Sequence, residues 1–261
     1  MTDNMEADVF SLDGNAKGKV ALPSIFENEI RPELILRAVI AEQTTTLQPQ
    51  GHYPLAGMQT TARYYGRMHS YRSGRHMGVA IRPRQKLGGG TQGQVRIIPS
   101  STKGKRAHPH MIEKHTVEEI NKKEYQKALA SAISATKAAA PGEKPIVVSN
   151  DIESITKTKE MLKIFNSLKL SKELESTSHV RKGLRRLAKQ KHYKKTLLLV
   201  IGKDNKALRA ARNIAGVDAC TISNITANLL APGGVPGRVT IWSEHAVKGL
   251  EEAIKKQSLW S

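Results

Sequence analysis

Three glycines of the stretch "KLGGGTQGQ", residues 86 to 94, stand at the spacing G-x-G-x-x-G: Gly88, Gly90 and Gly93. In a dinucleotide-binding loop such glycines let the backbone approach a pyrophosphate, whose charge rests on the unpaired amides and dipole of the helix that follows. That chemistry needs a strand before the loop and a helix opening within it. The sequence predicts neither. Upstream, "MGVAIRPRQ" carries Pro83 among arginines, and downstream "VRIIPSSTKGK" is β-branched and then broken by Pro99. Glu113 stands 20 residues beyond Gly93, the spacing of a ribose-binding carboxylate, but two prolines and no helical pattern lie between.

Other reactive types are thinly placed. His108, His110 and His115 surround Glu113 without a cysteine nearby, a spacing that matches no familiar metal site. The only cysteine, Cys220, sits in the strand-like "VDACTIS", so a buried inert thiol is expected and no disulfide can form within the chain. Asp151, Asp204, Asn205, Asn224, Ser243 and Glu244 fall at predicted strand ends, where an α/β enzyme keeps its site. Each also stands where the next helix needs a cap or an acidic first turn. No catalytic pair, cofactor or metal is predicted.

Charge is the stronger statement. The 261 residues hold 42 Lys and Arg against 23 Asp and Glu, a net charge of +19, which points to a polyanionic partner. The excess is concentrated: from Gln43 to Ile112 there is no acid, and 11 basic residues carry +11. The same 70 residues hold ten glycines and no Phe or Trp, and their few apolar residues keep neither helical nor strand period. They predict an excursion without a core of its own. Arg63, Arg67, Arg72, Arg75, Arg82, Arg84, Lys86, Arg96, Lys103, Lys105 and Arg106 are spaced along it as for contacts to many phosphates. Gly88, Gly89, Gly90 and Gly93 suit close backbone approach, and Tyr53, Tyr64, Tyr65 and Tyr71 could stack on unpaired bases. A second acid-free stretch, Ser176 to Lys203, is read as partly helical; there Arg181, Lys182, Arg185, Arg186, Lys189, Lys191, Lys194 and Lys195 predict another nucleic-acid contact.

Around the excursion the chain reads as an α/β domain. "DVFSLDGNAKGKVALP" predicts two strands about an Asp13-Gly14 turn, and "RPELILRAVIAEQ" a helix with Pro32 in its first turn. Thr116 with Glu119 and Asn121 with Glu124 offer capping boxes ahead of the Ala-rich "EYQKALASAISATKAAA", which Pro141 and Gly142 end. Then "IVVS", "TLLLVIG", "DACTIS" and "VTIWS" alternate with helical patterns, the signature of a mostly parallel open sheet flanked by helices. The predicted organisation is one domain from residues 1–42 and 113–261, with 43–112 as an inserted extended basic arm. No apolar run is long enough to cross a bilayer and no signal peptide is evident, so an intracellular protein is expected.

The segments "RPELILRAVIAEQ", "GRMHSYRSGRHMGVAIRP", "KGKRAHPHMIEK", "NKKEYQKALASAISAT" and "ARNIAGVDACTISNITANLLAPGGVPGRVTIWSEHAV" together resemble the fourth protein of the large ribosomal subunit, in its archaeal form. The resemblance runs collinearly over nearly the whole chain. It implies a non-enzymatic, Rossmann-like domain on the subunit surface and an arm threaded through large-subunit rRNA to the wall of the peptide exit tunnel. By position, the tip falls around Arg82 to Gly93, and Lys103 to His110 on the return limb, His108 included, lie embedded in rRNA. Implied partners are large-subunit rRNA, neighbouring ribosomal proteins and, at the tip, the nascent peptide, in the cytoplasmic ribosome. The chain departs from the family at His110 and Ala215, where prolines are commoner; it stops soon after its last helix, which fits an archaeal source. The competing expectation is a nucleotide-dependent α/β enzyme using the Gly88 to Gly93 loop or a strand-end crevice.

Overall fold

A computed structural model describes residues 5–256 except 65, 68, 70–74, 76–77, 86–92, 96–97, 141, 143, 175–177, 181–190 and 204–205, with the backbone alone at 178–180, 191–192 and 256. The chain divides into two compact units, one of residues Met1–Thr46 with Val117–Ser261, the other Leu47–Thr116. In chain order the elements are β1 (Glu6–Phe10), β2 (Ala16–Ala21), α1 (Pro32–Thr45), β3 (Ala62–Arg63), β4 (Arg84–Gln85), α2 (Lys122–Ala139), β5 (Ile146–Val148), α3 (Thr158–Ser167) and α4 (Ser171–Leu174). There follow β6 (Ser178–Val180), β7 (Lys191–Tyr193), β8 (Leu197–Ile201), α5 (Lys206–Arg212), β9 (Asp218–Thr221), α6 (Ala227–Leu230), β10 (Val239–Ser243) and α7 (Glu244–Lys256).

The first unit is built on a six-stranded sheet of order β2-β1-β5-β10-β8-β9. All neighbours run parallel except β1 and β2, which form an antiparallel hairpin at one edge. The run "LLLVI" of β8 is apolar at every position because helices cover both faces. Leu198 and Val200 face one cluster, with Ala7, Val9, Val147 and Trp242 of the sheet and Ile35, Leu129, Ile133 and Leu250 of α1, α2 and α7. Leu197, Leu199 and Ile201 face the other, with Ile146, Val148 and Ile241, and with Met161, Phe165 and Leu208 of α3 and α5. Small residues on α2, Ala128, Ala132 and Ala135, let that helix lie close to the first face. Trp242 is fully buried there, edge-on to Phe26 at 5.7 Å.

Local details depart from the sequence reading in instructive ways. Helix α1 continues to Thr45, past the expected boundary at residue 42, because Ala41 and Glu42 still face the interior. No helix begins at Thr116, and at the α2 N-cap Asn121 makes no side-chain bond. Glu124 does not close a capping box; its carboxylate accepts from Arg37 at 2.6 Å, joining α2 to α1. The Asp13-Gly14 turn is present, with Gly14 at φ +85°, and a Cβ there would stand 2.6 Å from the Ser167 carbonyl oxygen.

Cys220, on β9, is 2% exposed, and burial pushes its thiol up to about 12. Its reaction with a disulfide reagent at pH 8 is therefore expected only with the rate of global unfolding, tracking the denaturant transition. Fast labelling in native buffer would show the strand to open locally.

Candidate nucleic-acid interface

Within the unit Leu47–Thr116, an outgoing and a returning limb lie side by side. The amide of His52 donates to the His110 carbonyl at 3.0 Å. One glycine, Gly57, sets how closely the limbs approach, and a second, Gly104, permits a tight turn within the returning limb. A Cβ on Gly57, at φ +86°, would come within 1.8 Å of the Arg106 carbonyl oxygen, and one on Gly104 equally close to that of Ile98. Sequence reasoning placed close approach at Gly88 to Gly93; Gly57 it missed, since nothing local marks a contact made across 49 residues of chain.

Further out, β3 and β4 pair antiparallel, and the Gly93 amide donates to the Gln85 carbonyl at 2.8 Å. Gly93 has φ +80° with open space where a Cβ would lie, so conformation alone calls for glycine there. No helix follows among the described residues before α2. The helix N-terminus that a dinucleotide loop requires is thus missing from the described structure after Gly93. Gly88, Gly89, Gly90 and Lys86 lie outside the described residues, as do Tyr65, Arg72, Arg96, Arg181, Lys182, Arg185, Arg186 and Lys189.

The described basic residues divide by what they touch. Arg63, Arg67, Arg75, Lys103, Lys105 and Arg106 are exposed, as are Tyr64 and His108. Arg82 and Arg84 are half-buried and serve the limb itself. Arg82 donates to the Ser100 carbonyl, and Arg84 to those of Gly93 at 3.1 Å and Ala80 at 2.9 Å. With no acid from Gln43 to Ile112, the exposed cations have no carboxylate within that span to offset their mutual repulsion. Both buried apolar clusters lie wholly outside Leu47–Thr116. Beside Gly57 the limbs border an open cavity of about 490 Å³, lined by His52, Leu55, Gln59, Lys105, Arg106 and His110, with His108 and Pro109.

In the first unit, the flanks of the second basic stretch, β6 and β7, pair antiparallel; residues 181–190, most of the stretch expected to be partly helical, lie outside the described residues. Lys195, half exposed, carries an ion pair of its own: its Nζ sits 2.5 Å from Asp218. Among the described residues, the polar groups at the strand ends are engaged with the protein itself, while Asp204 and Asn205 lie outside the described residues. Glu153, following β5, accepts from the Gly202 amide at 3.0 Å and the Ser243 hydroxyl at 2.9 Å. Ser243 Oγ in turn accepts from the Ala246 amide at 3.2 Å, capping α7. Asn150 Oδ1 accepts from the His245 amide. A Cβ on Gly202 would stand 2.6 Å from that of His245. These groups spend their polarity on one another. Among the described residues no His, Cys, Asp and Glu group could hold a metal.

A buried carboxylate ties three helices together. Glu42 of α1 accepts from the Tyr125 hydroxyl of α2 at 2.7 Å and from the amides of Ala227 and Asn228, opening α6, at 2.7 and 2.8 Å. Burial, and then the Glu42 charge, push the Tyr125 hydroxyl far above its ordinary range. Tyr125→Phe deletes a bond to a charged group and is expected to lower stability by about 1.5–3 kcal/mol. Urea unfolding at pH 7 checks this; an unchanged midpoint would show the contact to be idle.

The model of the ribosomal protein L4/L1 family matches residues 20–253. The chain belongs to that family. Among curated relatives it is 40% identical to "Large ribosomal subunit protein uL4" of Methanococcus vannielii, over 95% of this chain and 99% of that protein. Proteins of the same name from Archaeoglobus fulgidus and Methanoculleus marisnigri are 37% and 39% identical over the same shares. The family resemblance read from the sequence is confirmed, and the relatives are ribosomal proteins, not enzymes. The matched span includes the whole basic unit Leu47–Thr116.

Proposed function

We propose that this ribosomal protein binds large-subunit rRNA chiefly through residues 43–112, supports the folding of that RNA, and lines the peptide exit tunnel with the end of this arm. The observation that carries the reading is a 70-residue segment with 11 cations and no carboxylate, inserted into a domain that keeps both apolar clusters to itself. Such a segment gains little from packing on itself and much from converging phosphates, so it reaches its final order as RNA folds around it. Arg63, Arg67, Lys103, Lys105, Arg106 and His108 supply its exposed contacts, and Tyr64 a stacking surface. Arg72, Lys86, Arg96, Tyr65 and the glycines 88–90 are assigned the same role on sequence, as are Arg181, Lys182, Arg185, Arg186 and Lys189 for a second contact. Other large-subunit proteins and, at the tip, the nascent peptide complete its partners in the cytoplasmic ribosome. No helix among the described residues is long and apolar enough to cross a membrane.

The test pairs binding with deletion. The chain is expected to bind a large-subunit rRNA fragment saturably and to show no saturable binding of NAD or ATP. Removal of Arg82 to Gly93 leaves the first unit's cooperative melting transition intact and rRNA binding measurable. Saturable NAD or ATP binding, or loss of cooperative melting in the deletion, would overturn the reading.

A further inference from the structure

Resting on the proposed rRNA binding, we infer that the cavity beside Gly57 takes a single unstacked nucleotide, its base inside and its phosphate at the rim. Phosphate neutralisation alone needs only cations on a surface. Here the cations border an open cleft of about 490 Å³, within the roughly 300–1,000 Å³ range of small-ligand sites. Leu55, Ala56, Gly57 and Pro109 give it apolar walls, the environment a base loses when it leaves a stack and regains against a protein. His52, His108 and His110 add imidazole planes on which a base can lie.

Polar groups are fixed well enough to read a base edge. His52 Nδ1 accepts from the Tyr53 amide at 2.8 Å, so the neutral ring carries its proton on Nε2, a donor. Gln59 Nε2 donates to the Tyr53 hydroxyl at 3.0 Å, which orients the amide and makes Oε1 its acceptor. Exposed Lys105 and Arg106 bring the phosphate to the same rim. The walls come from both limbs, and the backbone contact at Gly57 holds them at their spacing, so the cavity is shaped by main chain. A paired base presents only its edge in a groove and cannot enter; an unpaired or extruded one can.

The experiment uses the full chain bound to a large-subunit rRNA fragment, with filter-binding affinity and base-by-base probing by dimethyl sulfate and a ribose-acylating reagent. Ala56→Phe fills the cavity without changing charge. It is expected to weaken binding about ten-fold, the scale of one stacked base, and to expose one unpaired nucleotide that the parent chain protects. Gln59→Leu keeps shape and charge and must expose the same nucleotide, so a general collapse of the limbs in Ala56→Phe is told apart from loss of the base. If both variants protect the RNA nucleotide for nucleotide as the parent does, or if Gln59→Leu leaves that nucleotide covered, the cavity holds no base and the inference falls while rRNA binding stands. If the parent chain itself protects nothing, the rRNA reading falls with it.

Discussion

Asp218→Ala is expected to remove about 3 kcal/mol of stability at pH 7. Arg238 is 5% exposed at the start of β10, and its guanidinium lies 2.8 Å from Asp218. It also donates to the Leu229 and Leu197 carbonyls at 2.8 and 2.7 Å. Deleting the carboxylate leaves that cation buried without a counter-charge, a situation that costs about 3–5 kcal/mol. The lower end applies because a fifth of the Asp218 side chain meets solvent. Burial alone would raise the Asp218 carboxyl, but Lys195 and Arg238 outweigh it and hold the group below its ordinary 3.8. A carboxyl held low contributes stability in full above the unfolded value; this is lost as pH falls through the folded value. The gap between parent and variant should accordingly persist from pH 7 to about 5 and close in stronger acid. Urea titrations across pH measure it. A companion, Asp218→Ala with Arg238→Met, should recover part of the loss by removing the stranded charge. Equal losses in the single and double variants would show that the ion pair is not the source.

Affinity for rRNA should collapse with salt. A protein that neutralises 6–10 phosphates loses about 10³–10⁵ in binding between 50 and 200 mM monovalent salt. Eleven cations in the acid-free segment put the chain in that range even though Arg82 and Arg84 donate to their own backbone. Substituting Lys103, Lys105 and Arg106 together by alanine should flatten the log–log slope by roughly 2–3, each lost phosphate contact removing nearly one. The same triple change should leave the melting transition of the first unit in place, since none of the three belongs to it. Filter binding over a salt series gives the slope. A slope near zero for the parent chain would sink the electrostatic mechanism outright.

The sequence alone determined much, where the relevant physics is local in the chain. A continuous apolar run placed β8 as a strand buried on both faces, because a parallel strand between two helical layers meets apolar neighbours at each position. Pro32 marked the start of α1, since its missing amide costs nothing there. The absence of any acid from residue 43 to 112 marked the segment by charge, a property that no fold alters. Tertiary structure decided which polar residues spend themselves on the protein. Only the packing of α1, α2 and α6 brings Tyr125, and two amides 185 and 186 residues away, onto the Glu42 carboxylate. Glu124 looked like a cap and became a partner for Arg37, because a long-range ion pair displaced a short-range one. Lys195 belonged by spacing to an RNA-binding cluster, and Asp218 claimed it once β8 and β9 lay side by side. The cavity beside Gly57 likewise has no sequence signal: its walls are nearly 50 residues apart, and contacts at that separation follow from how the chain returns, not from its local pattern.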